Sequence, residues 1–195
     1  MDKDLIIQTK NAFDFIQKLY FEISYLIKEI EGNLQEDGFV IGRPSGYGVT
    51  MRSSTGLESI NVENWISKSY SVFFCNQDDT KMHQGVTVTK IKPALKIMIV
   101  HIEIFDKEIS NPKITYAMIY NIVSNNPKWE KFEYFMSRFA YHGKKIFSNG
   151  PNIDYKDVNC SFKGEFHTEN LFSINNSEEL RKKIIEPMLE LYRKG

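Results

Sequence analysis

Histidine and glutamate alternate twice along this chain. His101 and Glu103 are separated by one residue, and so are the successive members of Glu165, His167 and Glu169. Alternate residues of a strand point the same way, so each set would present imidazole and carboxylate on one face. If the two strands were neighbours, the sets could converge on a divalent metal that activates a water for hydrolysis of a phosphoester. The plainer alternative is two polar outer faces of an antiparallel sheet, because His-x-Glu is a weak signal by itself.

A second candidate is the stretch GRPSGYGVTMRSSTG, residues 42–56. Arg43, Arg52, Ser54 and Thr55 could offer guanidinium forks and hydroxyls to a phosphate or carboxylate. Thr55-Gly56-Leu57-Glu58 also fits a capping box, which would set a helix N-terminus beside them. The phosphate-loop pattern is not met, since Tyr47 and Val49, not lysine, follow the glycines. A dinucleotide fingerprint needs a helix after its glycines, and a strand-like run follows here. Turn chemistry at Pro44-Ser45-Gly46 predicts a hairpin between strands at 39–43 and 47–52.

The third candidate is a stripe. At 100° per residue Lys131, Tyr134, Arg138, Tyr141 and Lys145 fall in one narrow sector of a helix starting at Pro127. Cations interleaved with aromatics can follow a nucleic-acid backbone while stacking bases. The plainer alternative is a solvated flank whose long stems lie over the core.

Other chemistries lack support. Cys75 sits in the apolar run Phe73-Phe74-Cys75 and Cys160 stands alone, so neither suggests a zinc knuckle or a redox pair. There is no Gly-x-Ser-x-Gly elbow and no His-Glu-x-x-His helix.

The elements that would carry these residues are legible in outline. From Asp4 to Glu31, Ile6, Phe13, Ile16, Tyr20, Ile23, Ile27 and Ile30 keep helical spacing, with Leu5, Ala12, Leu19 and Leu26 beside them at intervals of seven. This predicts a long amphipathic helix lying on a sheet and ended by Gly32-Asn33. Residues 65–75, 94–105 and 114–123 are rich in β-branched and aromatic types and read as central strands, joined without helical connections and therefore antiparallel. The helix from Pro127 to about Lys145 turns Trp129, Phe132, Phe135, Met136 and Phe139 inward. Residues 157–162 and 165–172 resemble a hairpin turning at Lys163-Gly164, and Ser177 opens a final helix that Pro187 kinks or restarts.

Composition bounds what these elements can do. The 195 residues carry 25 basic and 25 acidic side chains, so the whole molecule has no field to draw in nucleic acid, and any anion site must be local. No apolar run is long enough to cross a bilayer, and Met1-Asp2-Lys3-Asp4 is acidic where a signal peptide is basic, so a cytoplasmic protein with reduced thiols and no membrane partner is expected.

The expected fold is α+β over residues 1–195 as one domain, a mainly antiparallel sheet packed against a long N-terminal helix and two later helices. The leading functional expectation is a ligand-binding or adaptor module for a nucleotide, a phosphorylated small molecule or a single-stranded nucleic acid. Two others stand beside it: a metal-dependent phosphoester hydrolase, and a structural or interaction protein that forms a homodimer or meets a protein partner through its first helix.

Overall fold

The computed structural model describes residues 3–42, 49–50, 67–80, 88, 90–104, 111–148 and 150–195. The β-branched and aromatic runs pair as one sheet in which every neighbouring pair is antiparallel. Its strands are β1 (Phe39–Ile41), β2 (Val49–Thr50), β3 (Ser69–Asn76), β4 (Ile97–Glu103), β5 (Lys113–Ser124), β6 (Asn152–Lys156) and β7 (Cys160–Asn170). The order across the sheet is β1-β3-β4-β5-β7-β6, with β2 also on β3.

Helices cover both faces. α1 (Lys3–Glu36) lies on one, together with α4 (Ser177–Leu180) and α5 (Glu186–Lys194), which a π-helical turn at Arg181–Ile185 joins. α3 (Phe132–Ile146), entered through a 3-10 turn at Pro127–Glu130, covers the other and carries the chain over β7 from β5 to β6, and α2 (Gln77–Thr80) is one turn after β3. Alternation along the strands feeds both cores. Val72, Phe74, Met98, Val100, Ile102, Ile114 and Met118 face α1 and α5, while Phe73, Cys75, Ile97, Ile99, Ala117 and Ile119 face α3. Each of the Val, Ile, Met and Phe side chains among them contributes about 1.5–3 kcal/mol on burial. The aromatic ladder of α3, Phe132, Phe135 and Phe139, packs edge-on and stacked against Phe73 and Phe162.

Four details depart from the pattern in the sequence. α1 does not stop at Gly32: Leu34 continues the apolar seam at 0% exposure, and the left-handed terminator is Gly38 at φ +83°. The Lys163-Gly164 pair is not a turn but the interior of β7, where a glycine is required because a Cβ on Gly164 would run into the Met118 carbonyl and the Ile119 side chain. The hairpin instead turns at residues 157–159, between β6 and β7. Finally, β1 and β2 both pair antiparallel with β3, so they run in the same direction along one edge and do not form a hairpin with each other.

β5 carries a bulge. Its register with β7 shifts between Tyr120 and Val123, and Asn121 adopts φ +53°, so Ile122 and not Asn121 joins the α3 core.

Candidate functional site

On the α3 face, the apolar rows of the sheet give way to polar ones near the N-terminal end of β3. Strand register places Ser71, His101, Thr115 and Thr168 side by side across β3, β4, β5 and β7. The next row outward on the same face is Ser69, Glu103, Lys113 and Asn170. Eight consecutive positions are therefore polar. Position at the strand ends is not the reason, because on the opposite face the same level holds Ile102 and Ile114, both at 0% exposure.

Three of the four inner-row side chains are buried as well as polar, and Thr168 is exposed. Ser71 is 0% exposed, His101 2% and Thr115 3%. Buried polar groups are costly unless they are satisfied, and these are paired. Ser71 Oγ lies 2.7 Å from His101 Nδ1, and Thr115 Oγ1 lies 2.9 Å from Thr168 Oγ1. The other imidazole nitrogen, Nε2, is 3.5 Å from Glu103 Oε1. The bond to Ser71 fixes the ring so that Nε2 is the nitrogen turned toward the carboxylate. The result is a chain from Ser71 through His101 to Glu103 in which only the carboxylate reaches the surface.

The C-terminal end of α3 roofs this row. Gly143 makes the approach possible, since a Cβ there would stand 3.2 Å from His101 Cε1, and the Phe147 ring centroid is 5.3 Å from that of the imidazole. Beside the roof is a cavity of about 340 Å³, whose walls include Glu103, Lys113, Thr115 and Thr168 from the sheet and Lys144 and Phe147 from the helix end. Two ammonium groups, a carboxylate, hydroxyls and one aromatic wall suit a small polar ligand bearing negative charge. Glu103, backed by His101, is placed to accept or return a proton on such a ligand.

The two His and Glu sets do not come together. β5 separates β4 from β7, and His167 pairs with Tyr116 on the α1 and α5 face, opposite to His101. His167 stacks on Tyr116 at 5.6 Å and its Nε2 is 3.1 Å from Glu165 Oε1 at an exposed position. Glu169 shares that outer face and helps, after burial, to push the Tyr116 hydroxyl pKa upward. Among the described residues no cluster of three or more His, Cys, Asp or Glu is placed to hold a metal.

The stripe on α3 is also divided. Arg138 is 8% exposed and forms an ion pair with Asp157, Nη1 to Oδ2 at 3.0 Å, so it faces the β6–β7 turn and not a ligand. The Lys128 and Lys131 ammonium groups lie 5.2 and 5.8 Å from the Tyr134 ring, and that of Lys145 lies 6.0 Å from the Tyr155 ring. The Tyr141 side chain lies outside the described residues, as do Arg43, Arg52, Ser54 and Thr55.

Ser71, Thr115, Thr168, Lys113 and Lys144 escape sequence reading because each is an ordinary residue in its own segment. The available signal is Ser69 and Ser71 alternating into an apolar strand, with Thr115 doing the same two strands away. No family model, curated protein or solved structure matches this chain. No helix among the described residues is long and apolar enough to cross a membrane.

Proposed function

We propose that the protein is a ligand-binding module whose site is the polar end of the α3 face, and that its ligand is a small molecule carrying a phosphate or carboxylate. The observation that carries this reading is the inner polar row, Ser71, His101, Thr115 and Thr168, built across four strands at a level where Ile102 and Ile114 fill the opposite face of β4 and β5. A fold does not bury three polar side chains beside a cavity for stability alone, since a well-packed apolar row of the same volume serves that purpose as well. Lys113 and Lys144 supply the charge that attracts the anion, and Thr168 and Glu103 the hydrogen bonding that orients it.

A cavity of about 340 Å³ fits a small metabolite and not a polymer. With Arg138 withdrawn into an ion pair, support for a single-stranded nucleic acid along α3 falls away. His101 and Glu103 alone give two donors, fewer than a catalytic metal needs, so the hydrolase alternative is not pursued.

Thermal unfolding against inorganic phosphate, nucleotides, sugar phosphates and dicarboxylates tests the reading. A ligand at about 100 times its Kd adds about 2.7 kcal/mol, a rise of several degrees at this size. Lys113→Ala should remove the rise. A panel without effect on the native chain would set the reading aside.

A further inference from the structure

A different surface carries an inference of its own. The core claims only the C-terminal half of α1, through Ile23, Ile27, Ile30 and Leu34. Among the described residues, contact with the domain ends near Tyr20, whose hydroxyl donates to the Ser67 carbonyl at 3.0 Å and whose ring meets Tyr70 edge-on. The preceding turns are exposed, about 24 Å of helix that nonetheless carries Leu5, Ile6, Ile7, Phe13 and Phe15 at 48–67% exposure. Solvated helices do not need such residues.

We infer that this half of α1 is covered by a second copy of the chain, the two helices packing antiparallel so that each copy's N-terminal half fills a groove on the other. The groove has a volume of about 400 Å³ and runs between α1 and the segment linking β7 to α4. Leu19 and Leu26 line one side, Leu171, Phe172 and Ile174 the other.

Three observations select this occupant and its direction. The line Leu5, Ala12, Leu19 and Leu26 is evenly spaced and therefore symmetric about a point between residues 15 and 16. An antiparallel copy therefore sets Leu5 against Leu26 and Ala12 against Leu19, delivering the exposed pair to the two groove residues twice over, as a two-fold interface requires.

Charge agrees. Residues 3–21 hold three lysines and two aspartates, whereas residues 22–36 hold four glutamates and one lysine. Antiparallel packing brings unlike ends together and opposes the helix dipoles, while parallel packing would stack the glutamate-rich halves.

Area adds support. Leu5, Phe15 and Phe172 present on the order of 400 Å² per copy before Ala12, Ile16, Leu19 and Leu26 are added, about half of the roughly 800 Å² per partner of a stable interface.

Cysteine cross-linking tests both the partner and the direction, because the native Cys75 and Cys160 are buried. Leu5→Cys and Leu26→Cys proteins, mixed and oxidised, should form a cross-linked dimer that neither forms alone, since the two copies of residue 5 would stand about 30 Å apart. Light scattering should give twice the chain mass, and Phe15→Asp should return it to one chain that keeps its circular dichroism spectrum and whose melting point no longer depends on concentration. A monomer at high concentration, a dimer cross-linked through Leu5→Cys alone, or a dimer cross-linked by no combination would each overturn the inference. None of these outcomes bears on the polar pocket.

Discussion

Ser71 and His101 face each other across β3 and β4, hydroxyl to Nδ1 at 2.7 Å, with neither side chain open to water. The serine fixes the imidazole, and the imidazole aims its second nitrogen at Glu103 on the cavity wall. Ser71→Ala strands Nδ1 in the interior and should cost about 1–3 kcal/mol in chemical denaturation. An unchanged unfolding midpoint would mean the pair contributes nothing.

Thr115 and Thr168 separate stability from binding. Replacing both by valine removes donor and acceptor together and keeps the shape, so stability should change by less than about 1 kcal/mol. The same double variant should weaken the ligand about tenfold, because Thr168 borders the cavity. Full affinity in the double variant would show that the row is structural only.

Gly143→Ala is a sign test. In an open helix the change gains up to about 1 kcal/mol. Here the added methyl meets an imidazole held between Ser71 and Phe147, so a loss of about 1 kcal/mol or more is expected. Increased stability would mean that α3 is not seated on His101 as closely as its geometry indicates.

The Arg138–Asp157 pair predicts an acid response. Burial alone would raise the Asp157 pKa, but the backbone N–H groups of Cys160 and Asn159, the Tyr155 hydroxyl and the Arg138 guanidinium together hold it below the ordinary range. The carboxylate is therefore protonated at lower pH in the folded chain than in the unfolded one. Its contribution is complete above the unfolded pKa of about 3.9 and is lost as pH falls through the folded value. Asp157→Asn leaves Arg138 without its counter-charge and should cost about 3 kcal/mol near neutral pH. That difference should shrink on acidification below about pH 4, where the native chain loses the same interaction. A gap that stays constant into acid would contradict the pairing.

Local periodicity carried much of the fold in the sequence. The α1 helix, the apolar face of α3 and the central strands are short-range patterns and form close to where spacing placed them, but only the part of the α1 seam from Ile23 onward is buried, while Ile6 and Phe13 stay exposed. Termini were less legible: Gly32 looks like a helix stop, but the demand for a buried Leu34 outweighs it. Lys163-Gly164 has turn chemistry, yet Gly164 is needed for close packing against β5, a contact invisible in a single sequence.

The candidate site was half legible for the same reason. His101 and Glu103 do share a face, as alternation requires, but which face Glu165 and His167 take depends on the register of β7 on β5. The polar row exists only once four strands are aligned, and Arg138 looks solvent-facing until the β6–β7 turn supplies Asp157.

Amide chemical-shift mapping during titration with inorganic phosphate, a nucleoside monophosphate and a small dicarboxylate tests the central claim most directly. The account predicts that at least one of these moves the resonances of His101, Lys113, Thr115, Lys144, Phe147 and Thr168 together, and that Lys113→Ala suppresses the response. Shifts gathered instead around Lys128, Lys131 and Tyr134, or no shifts with any of the three, would contradict it.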